Sequence, residues 1–396
     1  MVRPEKRRRQ DTDTAAAIPD DLMLSEVLVR LPAKSLACCR CVCLSWRAGI
    51  AGAVFVRRHL ELSRARRPPS VLAIPRVLDL DDRATSSEIG FHRLPLPLPG
   101  QAPGILPAEL MLEKAWPEGI TCLILPAHCD GLVAIATVSD RVFVCNPATR
   151  EFLVPRVALG YDQWRNRYVV ARYFYRTYGE PPFVDEVTGE YHAARDHDVG
   201  HEVFTLGGGG GGSWELTQDP PHAVGVQRPI CTRRALYWHA DEPQPRLMRF
   251  GLQDRAFDLV PRPPTGWNPI DDMAGLDDGK LCYVHAVAAA SFQVWMADDD
   301  GEPDELQWSL RCRINLADPM PRLNYNLMPV IADGDTLVAI AGGIMWRYNQ
   351  GAGEMVVELH NVRYGRKDGS VYYMSPPSFA SEHYVVSYVE SLVSLA

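Results

Sequence analysis

Four apolar stretches of this chain share one shape, and their spacing limits the fold more than any other feature. They read Gly131-Leu132-Val133-Ala134-Ile135, Ala235-Leu236-Tyr237-Trp238, Lys280-Leu281-Cys282-Tyr283-Val284 and Thr336-Leu337-Val338-Ala339-Ile340. Some 11 to 14 residues after each comes a second strand, centred near Val144, Phe250, Trp295 and Tyr348, which turns into a third. Val203-Phe204-Thr205-Leu206 fits as one more second strand, with no first strand to match it. The five centres stand 60, 46, 45 and 53 residues apart. A loose period of about 45–50 residues, with several strands per unit, is what propeller blades produce. Each blade is a small sheet whose faces only its neighbours can cover, so the units must close on one another. Six to eight blades are expected, and a β-sandwich is the alternative. The 32 prolines and 30 glycines supply the many turns such a fold needs.

Ahead of the strands the period is 3.6. Leu24, Val27, Leu28 and Leu31 fall on one helix face. Pro19 suits a first turn, Asp20 and Asp21 favour the positive end of the helix dipole, and Pro32 disfavours helix at Leu31. Cys39, Val42, Cys43 and Trp46 share the face of a second predicted helix, with Ile50 one turn on and Gly49 and Gly52 weakening its end. The chain thus reads as an α+β multidomain protein: a small N-terminal three-helix module and a large all-β domain. Residues 1–17 are expected to be a disordered basic tail, 18–62 the module, 63–110 a linker and irregular lead-in, and 111–391 the β-rich domain. The run Lys6-Arg7-Arg8-Arg9 reads as solvated charge, with a nuclear-localisation signal as the lesser reading.

Charge narrows the partners. Residues 1–67 hold 14 Lys+Arg against 7 Asp+Glu, and the rest hold 27 against 42. An acidic main domain repels phosphate backbones, so nucleic acid is not the expected partner. The longest apolar run, Leu337 to Trp346, is too short for a membrane span of about 18 residues or more. No early segment reads as a secretory signal, so the ten cysteines are expected to be reduced thiols in a cytoplasmic or nuclear protein.

Residues 18–62 resemble the F-box, a three-helix module that docks on Skp-family adaptors. The resemblance rests on Ile18-Pro19 with Asp20-Asp21-Leu22, then Leu28, Leu31-Pro32, Lys34-Ser35-Leu36, Cys39-Arg40, Val42-Cys43 and Ser45-Trp46-Arg47. It implies that Pro19, Leu22, Leu28, Leu31, Pro32, Leu36, Val42 and Trp46 form the adaptor-binding surface or the core beneath it. Cys38 and Leu44 depart from the family, standing where basic residues are common. A module of some 45 residues cannot bury all its large apolar side chains alone, which fits a docking role. The plainer reading is a helical hairpin packed on the β domain.

Cys129-Asp130-Gly131-Leu132 and Val142-Phe143-Val144-Cys145-Asn146-Pro147-Ala148-Thr149-Arg150-Glu151 look like the start of the F-box-associated domain of plant F-box proteins. Gly160-Tyr161-Asp162, Ser213-Trp214 and Ala235-Leu236-Tyr237-Trp238 resemble later parts of it. At Asn146-Pro147, Asn is expected to cap the turn while Pro presets φ. The joint resemblance implies the substrate-recognition subunit of an SCF-type cullin-RING ubiquitin ligase. It would bind a Skp-family adaptor, and through it a cullin, by the module, and a target protein by the β domain. No catalysis and no cofactor are expected. The alternatives are a scaffold or inhibitor that binds the adaptor without directing ubiquitination, and a propeller enzyme.

Candidate chemistry is sparse. Cys38 and Cys41 have CxxC spacing but lack a second ligand pair, so Cys39 and Cys43 read as small inward-facing hydrophobes. His192, His197 and His201, with Asp196 and Asp198, are the best metal or acid–base group, yet their segment reads as a solvated loop. Gly207 to Gly212 satisfies a dinucleotide pattern trivially, but a strand follows where a helix is needed. Asp298-Asp299-Asp300-Gly301 places its glycine too early for a calcium loop and reads as an acidic turn.

Overall fold

The computed structural model describes residues 18–395 apart from 66–68, 78–87, 102–103, 116–124, 137–141, 154–157, 178–182, 185–190, 193–197, 207–213, 226–228, 241–245, 267, 269, 277–278, 289, 300–305, 317–326, 334–335, 350–351 and 375–380. The basic tail, Gly207 to Gly212 and His197 lie outside the described residues.

Helix α1 starts as an α-turn over Asp20–Leu22, widens to a π-turn over Met23–Val27 and tightens to a 3-10 turn over Leu28–Arg30. Asp20 and Asp21 occupy its first turn, and Leu31 turns extended before Pro32, as the sequence predicts. Helix α2 spans Ala33–Cys39, α3 Leu44–Ala51 and α4 Ala53–Arg64. The single helix expected through Cys39 and Trp46 is therefore broken. Cys41 and Val42 donate to the Cys38 and Cys39 carbonyls, closing a tight turn. Cys43 then adopts extended backbone and its sulfur caps α3 by accepting from the Trp46 N–H. Gly49 sits where a Cβ would come within 2.5 Å of the Leu24 side chain, so its cost in helix propensity permits the close crossing of α1 and α3.

The propeller begins with β1 (Ser70–Val77), β2 (Glu88–Pro95) and β3 (Pro107–Ala115), the start of a first blade. Blade two holds β4 (Leu125–Cys129), β5 (Leu132–Ala136), β6 (Val142–Asn146) and β7 (Glu151–Leu153). Blade three holds β8 (Ala158–Asp162), β9 (Arg167–Thr177), β12 (Asp198–Thr205) and β13 (Glu215–Leu216), with a hairpin of β10 (Phe183–Val184) and β11 (Tyr191–His192) inserted. Blade four is β14 (Ile230–Cys231), β15 (Ala235–Trp238), β16 (Arg246–Gly251) and β17 (Phe257–Pro261). Blade five is β18 (Asp272–Gly275), β19 (Lys280–Ala288), β20 (Ser291–Asp298) and β21 (Trp308–Asn315). Blade six is β22 (Met328–Asp333), β23 (Thr336–Ala341), β24 (Ile344–Asn349) and β25 (Ala352–Glu358). Then β26 (Arg363–Gly365) and β27 (Val371–Tyr372) join the outside of β3, and β28 (Ser381–Tyr388) pairs with β1 along eight residues.

That last pairing closes the ring, because the innermost strand of the first blade comes from the far end of the propeller segment. The inner strands β28, β4, β8, β14, β18 and β22 contact one another in sequence around the axis. Six blades result, and the β-sandwich alternative falls away. The four matched stretches of the sequence are second strands of their blades rather than first. The partner missing for Val203–Leu206 is β9, its antiparallel neighbour. Residues 63–110, expected as linker, instead carry the end of α4, β1, β2 and the start of β3. Their buried Val71, Leu72, Ile74, Phe91 and Leu94 need the cover that a blade supplies.

Carboxylates pin blade to blade. Asp299 accepts from Tyr237 at 2.6 Å and from Thr232, both in blade four. Asp271 accepts from the Tyr283 hydroxyl at 2.8 Å and the Ala286 N–H at 2.9 Å, and pairs with Arg262 at 3.4 Å. The acidic turn expected at Asp298–Gly301 is thus a joint at Asp299, which is buried. A buried carboxylate needs partners of this kind to stay charged.

Candidate functional site

The helical module has a core and an uncovered face. Leu28, Val29, Ala33, Leu36, Ile50 and Phe55 form the core together with Leu392, from the segment after β28. His59, fully buried, bonds through Nε2 to the Leu31 carbonyl at 3.0 Å and so fixes the end of α1 to α4. The uncovered residues are Ile18 (60% exposed), Leu22 (50%), Val27 (44%), Val42 (64%), Leu44 (83%) and Val54 (85%). Asp20 gathers part of this set. Its carboxylate accepts from the Ser45 hydroxyl at 2.8 Å and the Trp46 indole N–H at 3.3 Å, drawing the start of α1 to the start of α3. Ile18, Pro19 and Leu22 are thereby brought to the same end of the module as Val42, Leu44 and Trp46.

Of the residues singled out from the sequence, Pro19, Leu22, Pro32 and Val42 are exposed, and Leu31 and Trp46 are partly covered. Leu28 (2%) and Leu36 (0%) are enclosed by the chain's own side chains, so of the two places expected, surface or the core beneath it, they take the core. Sequence reasoning left Leu44 and Val54 out of the set. An apolar residue just after a helix-capping position was the signal for Leu44. Among exposed large apolar side chains on the propeller, Val287 and Leu310 lie on β19 and β21 of blade five and Val371 on β27 beside the first blade.

The module is fastened to one end of the propeller, and the two motifs resembling the F-box-associated domain make the joint. In the β4–β5 turn, Asp130 and Gly131 both take positive φ. Asp130 pairs with Arg64 of α4 and accepts from the Tyr168 hydroxyl at 2.9 Å. A Cβ at Gly131 would lie 2.3 Å from the Val389 carbonyl oxygen, so only glycine fits. In the β6–β7 turn, buried Asn146 accepts from the Ala148 N–H at 3.0 Å, the cap expected from the sequence. Its amide also donates to the carbonyls of Ser391 (3.2 Å) and Val393 (2.8 Å). Residues 391–395 are thus held between module and blades: Leu392 enters the module core, and Val393 and Leu395 pack with Leu132, Val144 and Leu159.

The other candidates do not assemble. Cys38, Cys41 and Cys43 are exposed free thiols, so Cys43 is not the inward hydrophobe expected, and Cys39 is partly covered. His201 lies in β12 rather than a solvated loop, fully buried against Trp238, Phe250 and Phe257, with Nδ1 at 2.5 Å from the Thr217 hydroxyl. Burial pushes its pKa down to about 3. Among the described residues no three His, Cys, Asp or Glu side chains converge on a point that could hold a metal ion, and no helix is long and apolar enough to cross a membrane.

A module of short helices joined to one end of a six-bladed propeller is the architecture of the chain. Residues 113–340 match the model of the F-box associated beta propeller domain, and residues 17–52 match that of the F-box domain. The chain belongs to the F-box associated beta propeller family and carries an F-box ahead of its propeller. It is similar to a putative F-box protein of Arabidopsis thaliana, 26% identical over 346 residues, covering 82% of this chain and 86% of the relative. An F-box/LRR-repeat protein of the same plant is 26% identical over 327 residues, covering 74% and 66%. Among solved structures, an oligogalacturonate lyase in complex with manganese has a TM-score of 0.41 at 12% identity, covering 80% of this chain and 91% of that one. That likeness is too distant to carry an argument.

Proposed function

We propose that this chain is the substrate-recognition subunit of an SCF-type cullin-RING ubiquitin ligase. The observation that carries the proposal is the apolar face left open on the F-box at Ile18, Leu22, Val42 and Leu44, beside exposed Pro19 and Pro32. Contiguous exposed apolar surface of this kind is covered by a partner in soluble proteins. The partner is a Skp-family adaptor, which links the chain to a cullin. A target protein is held at the propeller end away from the F-box, where the β17–β18 connection and its equivalents emerge. The chain contributes no catalytic group in this scheme. Its effect on rate is proximity, raising the effective concentration of a target lysine near a conjugating enzyme supplied by other subunits. Work in the cytoplasm or nucleus follows from that assembly.

The reading predicts that the wild-type chain co-purifies with a Skp-family adaptor and brings cullin with it. Leu22→Asp plus Val42→Asp abolishes the complex while leaving the melting temperature of the propeller unchanged. Failure of the wild-type chain to bind any such adaptor defeats the proposal. Target turnover that stays the same when the F-box is removed assigns the chain to a scaffold role instead.

A further inference from the structure

Between α4 and the axial mouth of the propeller lies a cavity of about 850 Å³ that the function proposed above does not use. The ends of inner strands line one side, through Cys129, Tyr161 and Cys231, and α4 lines the other, through Val56, Arg57 and Leu60. Five arginines reach its wall: Arg57, Arg64, Arg165, Arg167 and Arg233. Against them stand two carboxylates, Glu61 and Asp130. This is the reverse of the chain's net charge of −8.

The carboxylates are already matched. Asp130 pairs with Arg64, and Glu61 pairs with Arg58 at 3.3 Å. Arg165 is likewise taken, by Asp162 at 2.8 Å and by the Leu252 and Gln253 carbonyls of the next blade. Among the described residues Arg57 bonds only to neutral groups, the Tyr161 hydroxyl and the Asn166 side-chain oxygen. The guanidinium of exposed Arg167 has no partner among the described residues. Positive charge therefore remains uncompensated on both sides of the cavity, on α4 and on blade three.

A guanidinium offers parallel N–H donors that fit phosphate or carboxylate oxygens in pairs. The cavity is within the range of about 300–1,000 Å³ that small ligands occupy. A concave wall with surplus charge of one sign also concentrates counter-ions. We propose that the cavity binds a compact polyanion, a small molecule with at least two phosphate or carboxylate groups, between Arg57 and Arg167. Such a ligand touches α4 and blade three at once, and its binding tightens the joint between F-box and propeller.

The test is titration calorimetry and thermal melting of the full chain with two probes, tripolyphosphate and citrate. Saturable binding of at least one, with a raised melting temperature, is expected. The tighter probe tells phosphate from carboxylate. Arg167→Gln removes a side chain that bonds to nothing in the described structure, so it should melt like the wild type without ligand and bind the probe at least tenfold more weakly. Arg313→Gln, on the exposed outer strand β21, should bind as the wild type does. Absence of saturable binding by both probes, full affinity in Arg167→Gln, or an equal loss in Arg313→Gln overturns the proposal.

Discussion

His201 and His239 show how burial dominates the behaviour of a residue. Both are enclosed, and desolvation lowers each pKa to about 3 from an ordinary value of 6.5. In the folded chain they stay neutral, while in the unfolded chain they gain protons as the pH drops below 6.5. Their contribution is therefore fully present above pH 6.5 and is lost as the pH falls toward 3, by about 1.4 kcal/mol per histidine per pH unit. Urea midpoints measured at pH 7, 6 and 5 should fall steadily, with proton uptake on unfolding. Two apolar positions in the F-box, Leu36 and Val42, separate in the same residue-level way. Leu36→Ala empties a fully buried site and should cost about 2–5 kcal/mol. Val42→Asp changes an exposed side chain, should leave the melting curve within about 0.5 kcal/mol of wild type, and should act on adaptor binding alone.

At the scale of elements, the segment 391–395 is the unexpected one. It follows the last strand and stitches α1, α2 and α4 to blades two and three through Leu392, Val393 and Leu395. Leu392→Asp places a charge in the F-box core. It should make α1 to α4 sensitive to protease at temperatures where the blades still resist, which limited digestion followed by mass spectrometry would show. Its role was not legible beforehand, because Ser391-Leu392-Val393-Ser394-Leu395 has no period of its own and takes its conformation from Asn146. The second and third strands of blades were legible because both faces of a blade are covered, giving short unbroken apolar runs such as Leu337 to Ile340. Inner strands were not, since β14 is only Ile230–Cys231 and β4 begins Leu-Pro. The broken helix at Cys43 was missed because 3.6-residue spacing continues across the turn, while the cap that divides it is a thiol, an uncommon capping group. Exposure of Val42 and enclosure of Leu36 could not be told apart by spacing, since 3.6-residue spacing gave Val42 a place on a helix face although it stands in the turn after α2.

For the whole molecule, ring closure and the contacts of α4 join the F-box directly to the propeller. β28 bonded to β1 leaves no open blade, and α4 bonded to Asp130 and Asn166 fixes the F-box against the axis. In the receptor role proposed above, such a joint would help keep a bound target within reach of a conjugating enzyme. A flexible tether would disperse the target lysine over a larger volume and lower its effective concentration. The most direct measurement is side-chain footprinting by hydroxyl radicals, on the chain alone and with a Skp-family adaptor added. The account predicts that Ile18, Leu22, Val42 and Leu44 lose reactivity in the complex while Leu310 and Val371 on the propeller keep theirs. Unchanged reactivity at those four F-box positions, or protection confined to the propeller, would contradict it.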